Sequence, residues 1–97
     1  MILEIIFTDD ASEMLLSITN FIASKWGEKQ AEKFLTKVYR TVDLISKQPY
    51  LFKASVIEEN VRIGIVSKQT SFFYEIQDSK IIILFFWDNR QDPIFIG

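Results

Sequence analysis

A chain of 97 residues with 48% hydrophobic side chains, nine Phe among them, has room for one packed domain and enough apolar surface to fold it. It contains no cysteine and no histidine, which excludes disulfides, thiolate nucleophiles and Cys-ligated metal or iron–sulfur sites, and leaves acid–base chemistry to Asp, Glu, Lys, Tyr or Arg. The formal charge of -2 gives no general attraction to nucleic acid or to an anionic membrane, although a local basic patch is compatible with it.

Ile2 to Phe7 is rich in β-branched residues and reads as a short strand with Leu3, Ile5 and Phe7 on one face and Glu4 on the other. Thr8, Asp9 and Asp10 then offer helix caps, and Asp10 with Glu13 has the spacing of a capping box. Ala11, Met14, Leu15, Ile18, Ile22 and Trp26 recur at helical spacing and form one apolar stripe, which places Trp26 in the core. Gly27 ends that helix. A second helix repeats the pattern through Ala31, Phe34, Leu35, Val38, Val42 and Ile45 and stops at Pro49. The single-glycine joint predicts an antiparallel helical hairpin.

Beyond Pro49 the period changes to two residues, and three strands are expected at Val61 to Val66, Ser71 to Ile76 and Lys80 to Trp87. Ser67-Lys68-Gln69 and Gln77-Asp78-Ser79 are the lengths of hairpin turns, so these strands form an antiparallel meander. Residues 50–60 read as a loop or partial strand. The fold class is therefore α+β, ordered β-α-α-β-β-β, in one domain over residues 1–97.

Glu4 interrupts the first apolar stretch with no basic residue before it, so the pattern of a secretory signal is missing. The longest apolar run, Ile81 to Trp87, is far short of the roughly 20 residues of a membrane helix. A cytoplasmic protein without a membrane partner is expected. The sequence shows neither a glycine-rich phosphate loop nor a metal-binding carboxylate cluster, so no cofactor and no metal are expected.

Simple alternation along the last strand sends Ile81, Ile83, Phe85 and Trp87 one way and Ile82, Leu84 and Phe86 the other. Both faces are apolar. Either this is a central strand covered on both sides, or an apolar patch awaits a partner chain and drives self-association, including a homodimer. Lys29, Lys33, Lys37 and Arg40 share the second helix's polar side, as a solvated face or as a contact for an acidic partner or phosphates. Arg62 lies on the strand face of Gly64 and Val66. Arg90 stands between Asp88 and Asp92, where a local ion pair competes with a role in which two arginines stabilise phosphate charge and Tyr74 donates a proton.

The element order, the Trp26-Gly27 turn, Ala31 with Phe34, Pro49, Val61-Arg62, Phe73-Tyr74-Glu75-Ile76 and the run from Ile83 to Pro93 resemble the RelE/ParE superfamily of bacterial type II toxin–antitoxin toxins. The ending looks like a plasmid-stabilisation or ParE-type sequence. This resemblance covers nearly the whole chain and implies a cognate antitoxin as partner. Its two branches are ribosome-dependent messenger-RNA nucleases of the RelE type and DNA gyrase inhibitors of the ParE type. Arg62 and Arg90 fall where RelE-type nucleases carry phosphate-binding basic residues. Gly64 and Ser71 fall where they carry a further lysine and arginine, and Ile96 falls near their C-terminal tyrosine.

A nuclease without metal or histidine needs several cations to stabilise the developing charge. That argues against the nuclease branch, and the resemblance then implies a non-enzymatic, ParE-like toxin that binds DNA gyrase, with Arg62, Phe86, Trp87, Asn89 and Arg90 expected to meet the target or antitoxin. Its rivals are a ribosome- and mRNA-directed endoribonuclease using Arg62, Tyr74 and Arg90, and a non-toxic binding module.

Overall fold

A computed structural model describes residues 2–55, 58 and 60–89. The elements follow the expected order: β1 (Glu4–Phe7), α1 (Asp9–Trp26), α2 (Glu28–Lys47), β2 (Val61–Ile65), β3 (Thr70–Ile76) and β4 (Lys80–Asp88). β2, β3 and β4 form the antiparallel meander, and β1 joins β4 in parallel, giving a mixed sheet ordered β1-β4-β3-β2. This arrangement accounts for the apolar last strand. β4 is a central strand with neighbours on both sides, and the helical hairpin covers one of its faces.

Ala11, Leu15, Ile18 and Ile22 of α1 and Ala31, Phe34, Val38, Val42 and Ile45 of α2 are buried against Phe72, Tyr74, Ile81, Ile83 and Phe86 of the sheet. Leu3, Ile5 and Phe7 pack on this core while Glu4 is exposed, as the alternation in β1 requires. Each large apolar side chain removed from water contributes about 1.5–3 kcal/mol, so the stripes of both helices hold the hairpin on the sheet. Gly27 joins the helices at φ 95°, a conformation that other residues rarely adopt, and its N–H donates to the Ala23 carbonyl at 2.9 Å.

Three sequence expectations change. Of the three cap candidates the helix uses Thr8, two residues before the Asp10 of the expected capping box: its Oγ1 accepts from the Ala11 N–H at 3.0 Å. Trp26 is 52% exposed and packs edge-on against Phe21 at 5.9 Å between ring centres, so it sits outside the core. The apolar stripe reaches it in phase, but the helix ends there, and among the described residues about half of the Trp26 surface stays uncovered.

The third change is in β4. Tyr74 pairs with Ile83 and Phe73 with Phe85, so Leu84 is an extra residue, a β-bulge that shifts the alternation by one. Ile81, Ile83, Phe86 and Asp88 consequently point into the core, while Phe85 and Trp87 turn to the face of Ile82. The Thr8 hydroxyl donates to the Leu84 carbonyl at 2.6 Å, and the Thr8 N–H donates to the Ile83 carbonyl at 3.0 Å. One residue thus caps α1 and fixes the bulge. The apolar side chains of β4 are buried or half-buried. The exposed large ones lie elsewhere, at Ile2 before β1, at Ile65 on β2, on the helices and on the α2–β2 connection, among them Leu16, Tyr39, Tyr50 and Leu51.

Candidate functional site

The inner face of β2 and β3, beyond the reach of the helices, is closed by the connection from α2. Residues 53–55 run beside β2, where Ala54 bridges Arg62, Ile63 N donates to the Lys53 carbonyl at 3.3 Å and Ser55 N to the Val61 carbonyl at 2.6 Å. This is the partial strand that residues 50–60 suggested, as far as the described residues run.

Arg62 stands opposite Tyr74 in the β2–β3 register. Its Nη1 donates to the Phe52 carbonyl, and its guanidinium carbon lies 4.8 Å from the centre of the Tyr50 ring. The Arg62 Nε is buried without a hydrogen-bond partner. Tyr74 is fully buried, and its hydroxyl donates to the Pro49 carbonyl at 2.8 Å. Burial raises the Tyr74 phenol above its ordinary 10.0, while the Arg62 charge and the Phe52 backbone act in the opposite direction. Both side chains therefore pin the 49–52 loop. The Tyr74 hydroxyl, the proton donor of the nuclease alternative, is thus buried and engaged with a backbone carbonyl.

Gly64 carries the next decisive contact. It pairs with Phe72, and a Cβ at this position would meet Phe72 Cζ at 2.5 Å and Cε1 at 2.7 Å. The Phe72 ring occupies the space a side chain would need and packs there against Tyr74 and Phe86, with centres 5.8 and 5.5 Å apart. A lysine cannot be accommodated without displacing a fully buried ring. Ser71 pairs with Trp87 on the other face of the sheet, so it does not converge with Arg62 and Gly64 at all.

Phe86 is fully buried between Phe7 and Phe72 and leaves the set of partner-binding candidates, because the Leu84 bulge turned it inward. Phe85 takes its place on the outer face, stacked on Phe73 at 4.6 Å. Trp87 is half-buried there and donates from Nε1 to the Asn89 Oδ1 at 3.0 Å, while Asn89 N is tied to the Gln69 carbonyl at 2.9 Å. Trp87 pairs with Ser71, three residues along β3 from Tyr74, which puts it about 10 Å along the strand from the level of Arg62 and on the opposite face. Arg62 and the Trp87–Asn89 pair are two separate places. Arg90 and Ile96 lie outside the described residues.

Two features escaped the sequence reading. Tyr50 and Phe52 flank Arg62 through a loop whose path no periodicity reveals. A groove of about 420 Å³ runs between the helices and β1, lined by Phe7, Leu15, Leu16, Leu35 and Tyr39, with Leu16 and Tyr39 well exposed. On α2, Lys29, Lys33, Lys37 and Arg40 are exposed and make no ion pair among the described residues. No group of three metal-ligating side chains and no helix long and apolar enough to cross a membrane occurs among the described residues.

The family model for the ParE toxin of the type II toxin–antitoxin system parDE matches residues 5–93. The chain belongs to the ParE toxin family. The ParE assignment agrees with the fold seen in solved structures. The chromosomal ParDE toxin–antitoxin system of P. aeruginosa aligns with a TM-score of 0.75 at 16% identity, over 90% of this chain and 96% of that one. The E. coli DinJ-YafQ toxin–antitoxin complex aligns at 0.63 with 10% identity, over 93% and 96% of the two chains. A conserved hypothetical protein of Helicobacter pylori aligns at 0.58 with 10% identity, over 91% and 96%. At such identities these likenesses establish the shared fold. No curated protein matched the sequence. As a ParE-family member the protein is the toxin type of a type II toxin–antitoxin system.

Proposed function

We propose that this ParE-family protein is a cytoplasmic toxin that acts by binding a protein target, DNA gyrase, without cleaving RNA, and that a cognate antitoxin neutralises it. The observation that carries the reading is the Phe72 ring over Gly64, which closes the position where a second phosphate-binding cation would stand. Metal-free phosphoryl transfer needs several preorganised charges, and the loss of one donor typically costs about 100–1,000-fold in rate. Beside Arg62 the described inner face offers no second cation, and Tyr74, sealed in the core, offers no open proton donor. Membership of the parDE toxin family supports a ParE-type target, DNA gyrase, over a nuclease role. The antitoxin follows from the family and from the toxin–antitoxin complexes that share the fold. The exposed Leu16 and Tyr39 beside the inter-helix groove give such a partner apolar surface to cover.

Induced expression followed by separate assays of translation, messenger integrity and plasmid supercoiling tests this. Relaxed plasmid with intact messenger, and rescue of growth by co-expression of the neighbouring reading frame, is the expected outcome. Fragmented messenger with normal supercoiling would reject it.

A further inference from the structure

Arg62 is the least satisfied charged group described in the molecule. Its Nη1 uses one backbone carbonyl, while the Nε is buried with no partner and no carboxylate pairs with it among the described residues. A buried donor left without a partner costs about 1–3 kcal/mol, and more when it belongs to a charged group. The orphaned Nε belongs to the Nε–Nη2 edge of the guanidinium, the edge that grips a carboxylate through two parallel N–H bonds. Of the side chains around it, Tyr74 is fully buried and Phe52 partly so, whereas Tyr50 is 68% exposed on the α2–β2 connection. Tyr50 can therefore swing aside without disturbing the core.

We propose that Arg62 is a latent carboxylate-binding site covered by Tyr50, and that its ligand is a single side-chain carboxylate of a partner polypeptide, which replaces the Tyr50 ring and completes the hydrogen bonding of Nε. The proposal rests on the protein-binding reading above and names the chemistry by which the partner is recognised there. The count of charges selects a carboxylate over a phosphodiester chain. One guanidinium matches one monoanion, and Phe72 prevents Gly64 from being replaced by a second cation. The chain's charge of -2 gives no general attraction to a polyanion. The bidentate geometry makes the site specific for arginine: a lysine at 62 keeps the charge but has no fork.

Sodium acetate is the probe. In 15N-labelled protein, the Arg62 Nε–H resonance, assigned by its absence from Arg62→Lys, is followed through an acetate titration with sodium chloride at matched ionic strength as control. The expected result is a saturable shift in the millimolar range with acetate and none with chloride. Tyr50→Ala should bind acetate at least several-fold more tightly, because the competing cover is gone. If Arg62→Lys does not fold, resonance assignment in the wild type and the Tyr50→Ala titration carry the test alone. A shift that never saturates, one reproduced by chloride, or unchanged acetate affinity in Tyr50→Ala overturns the proposal. So does tighter binding of inorganic phosphate or of a short single-stranded RNA than of acetate, which would make this a phosphate site. Failure of the titration leaves the supercoiling assay untouched, whereas messenger cleavage would reject the gyrase reading without altering the titration.

Discussion

Gly64 and Tyr74 show how the inner face of the sheet is committed to packing. At Gly64 the absent side chain is filled by the Phe72 ring, so Gly64→Ala should destabilise the protein by about 1–3 kcal/mol through overpacking, read as a lowered thermal midpoint. A variant as stable as the wild type would show that Phe72 gives way freely. Tyr74 makes a different prediction, because its phenol holds its proton above the ordinary 10.0 when folded. The folded state then binds more protons than the unfolded chain at alkaline pH, so this contribution to stability is complete below about 10 and is lost as pH rises through the folded value. Tyr74→Phe removes that alkaline loss and, by deleting the bond to the Pro49 carbonyl, costs about 0.5–1.5 kcal/mol at neutral pH. Denaturant unfolding of both proteins at neutral pH and above 10 measures the two effects. Parallel pH profiles would refute the assignment.

At the scale of elements, Thr8 links α1 to the β4 bulge by accepting from Ala11 and donating to Leu84. Thr8→Ala should cost about 1–2 kcal/mol, at the upper end for a cap because the Leu84 carbonyl loses its donor as well, and Thr8→Ser should recover most of it. A thermal melt in which the two variants behave alike would contradict this double role. The same element marks where sequence reading stops. Both helices were legible because apolar residues recur every 3.6 positions and Gly27 and Pro49 punctuate them. β4 was legible as a strand but not in phase: a run of seven apolar residues from Ile81 to Trp87 contains no glycine or polar residue to mark an insertion at Leu84. Simple alternation therefore separates Phe86 from Ile81 and Ile83, whereas the fold puts all three on the inner face. The parallel pairing of β1 with β4 depends on which distant strand flanks which, and local periodicity carries no such information. Trp26 failed for a related reason, since the stripe extends to the last helical residue while the opposing surface does not.

For the whole molecule, the sequence reading anticipated the α+β order and the family, while its site was legible only in part. It named Arg62 as a candidate binding residue, yet the groups that surround it, Tyr50 and Phe52, sit on a loop ten or more residues away in the chain. The fold divides its surface between an inner face locked by Phe72, Tyr74 and the 49–52 loop and exposed apolar residues along the helices, a distribution suited to binding other chains. The most direct test uses purified protein in two parallel reactions, DNA gyrase with relaxed plasmid and programmed ribosomes with mapped messenger ends. The account predicts that supercoiling is inhibited in proportion to added protein while every messenger end stays intact. Codon-dependent cleavage that disappears in Arg62→Gln, with supercoiling unaffected, would contradict it.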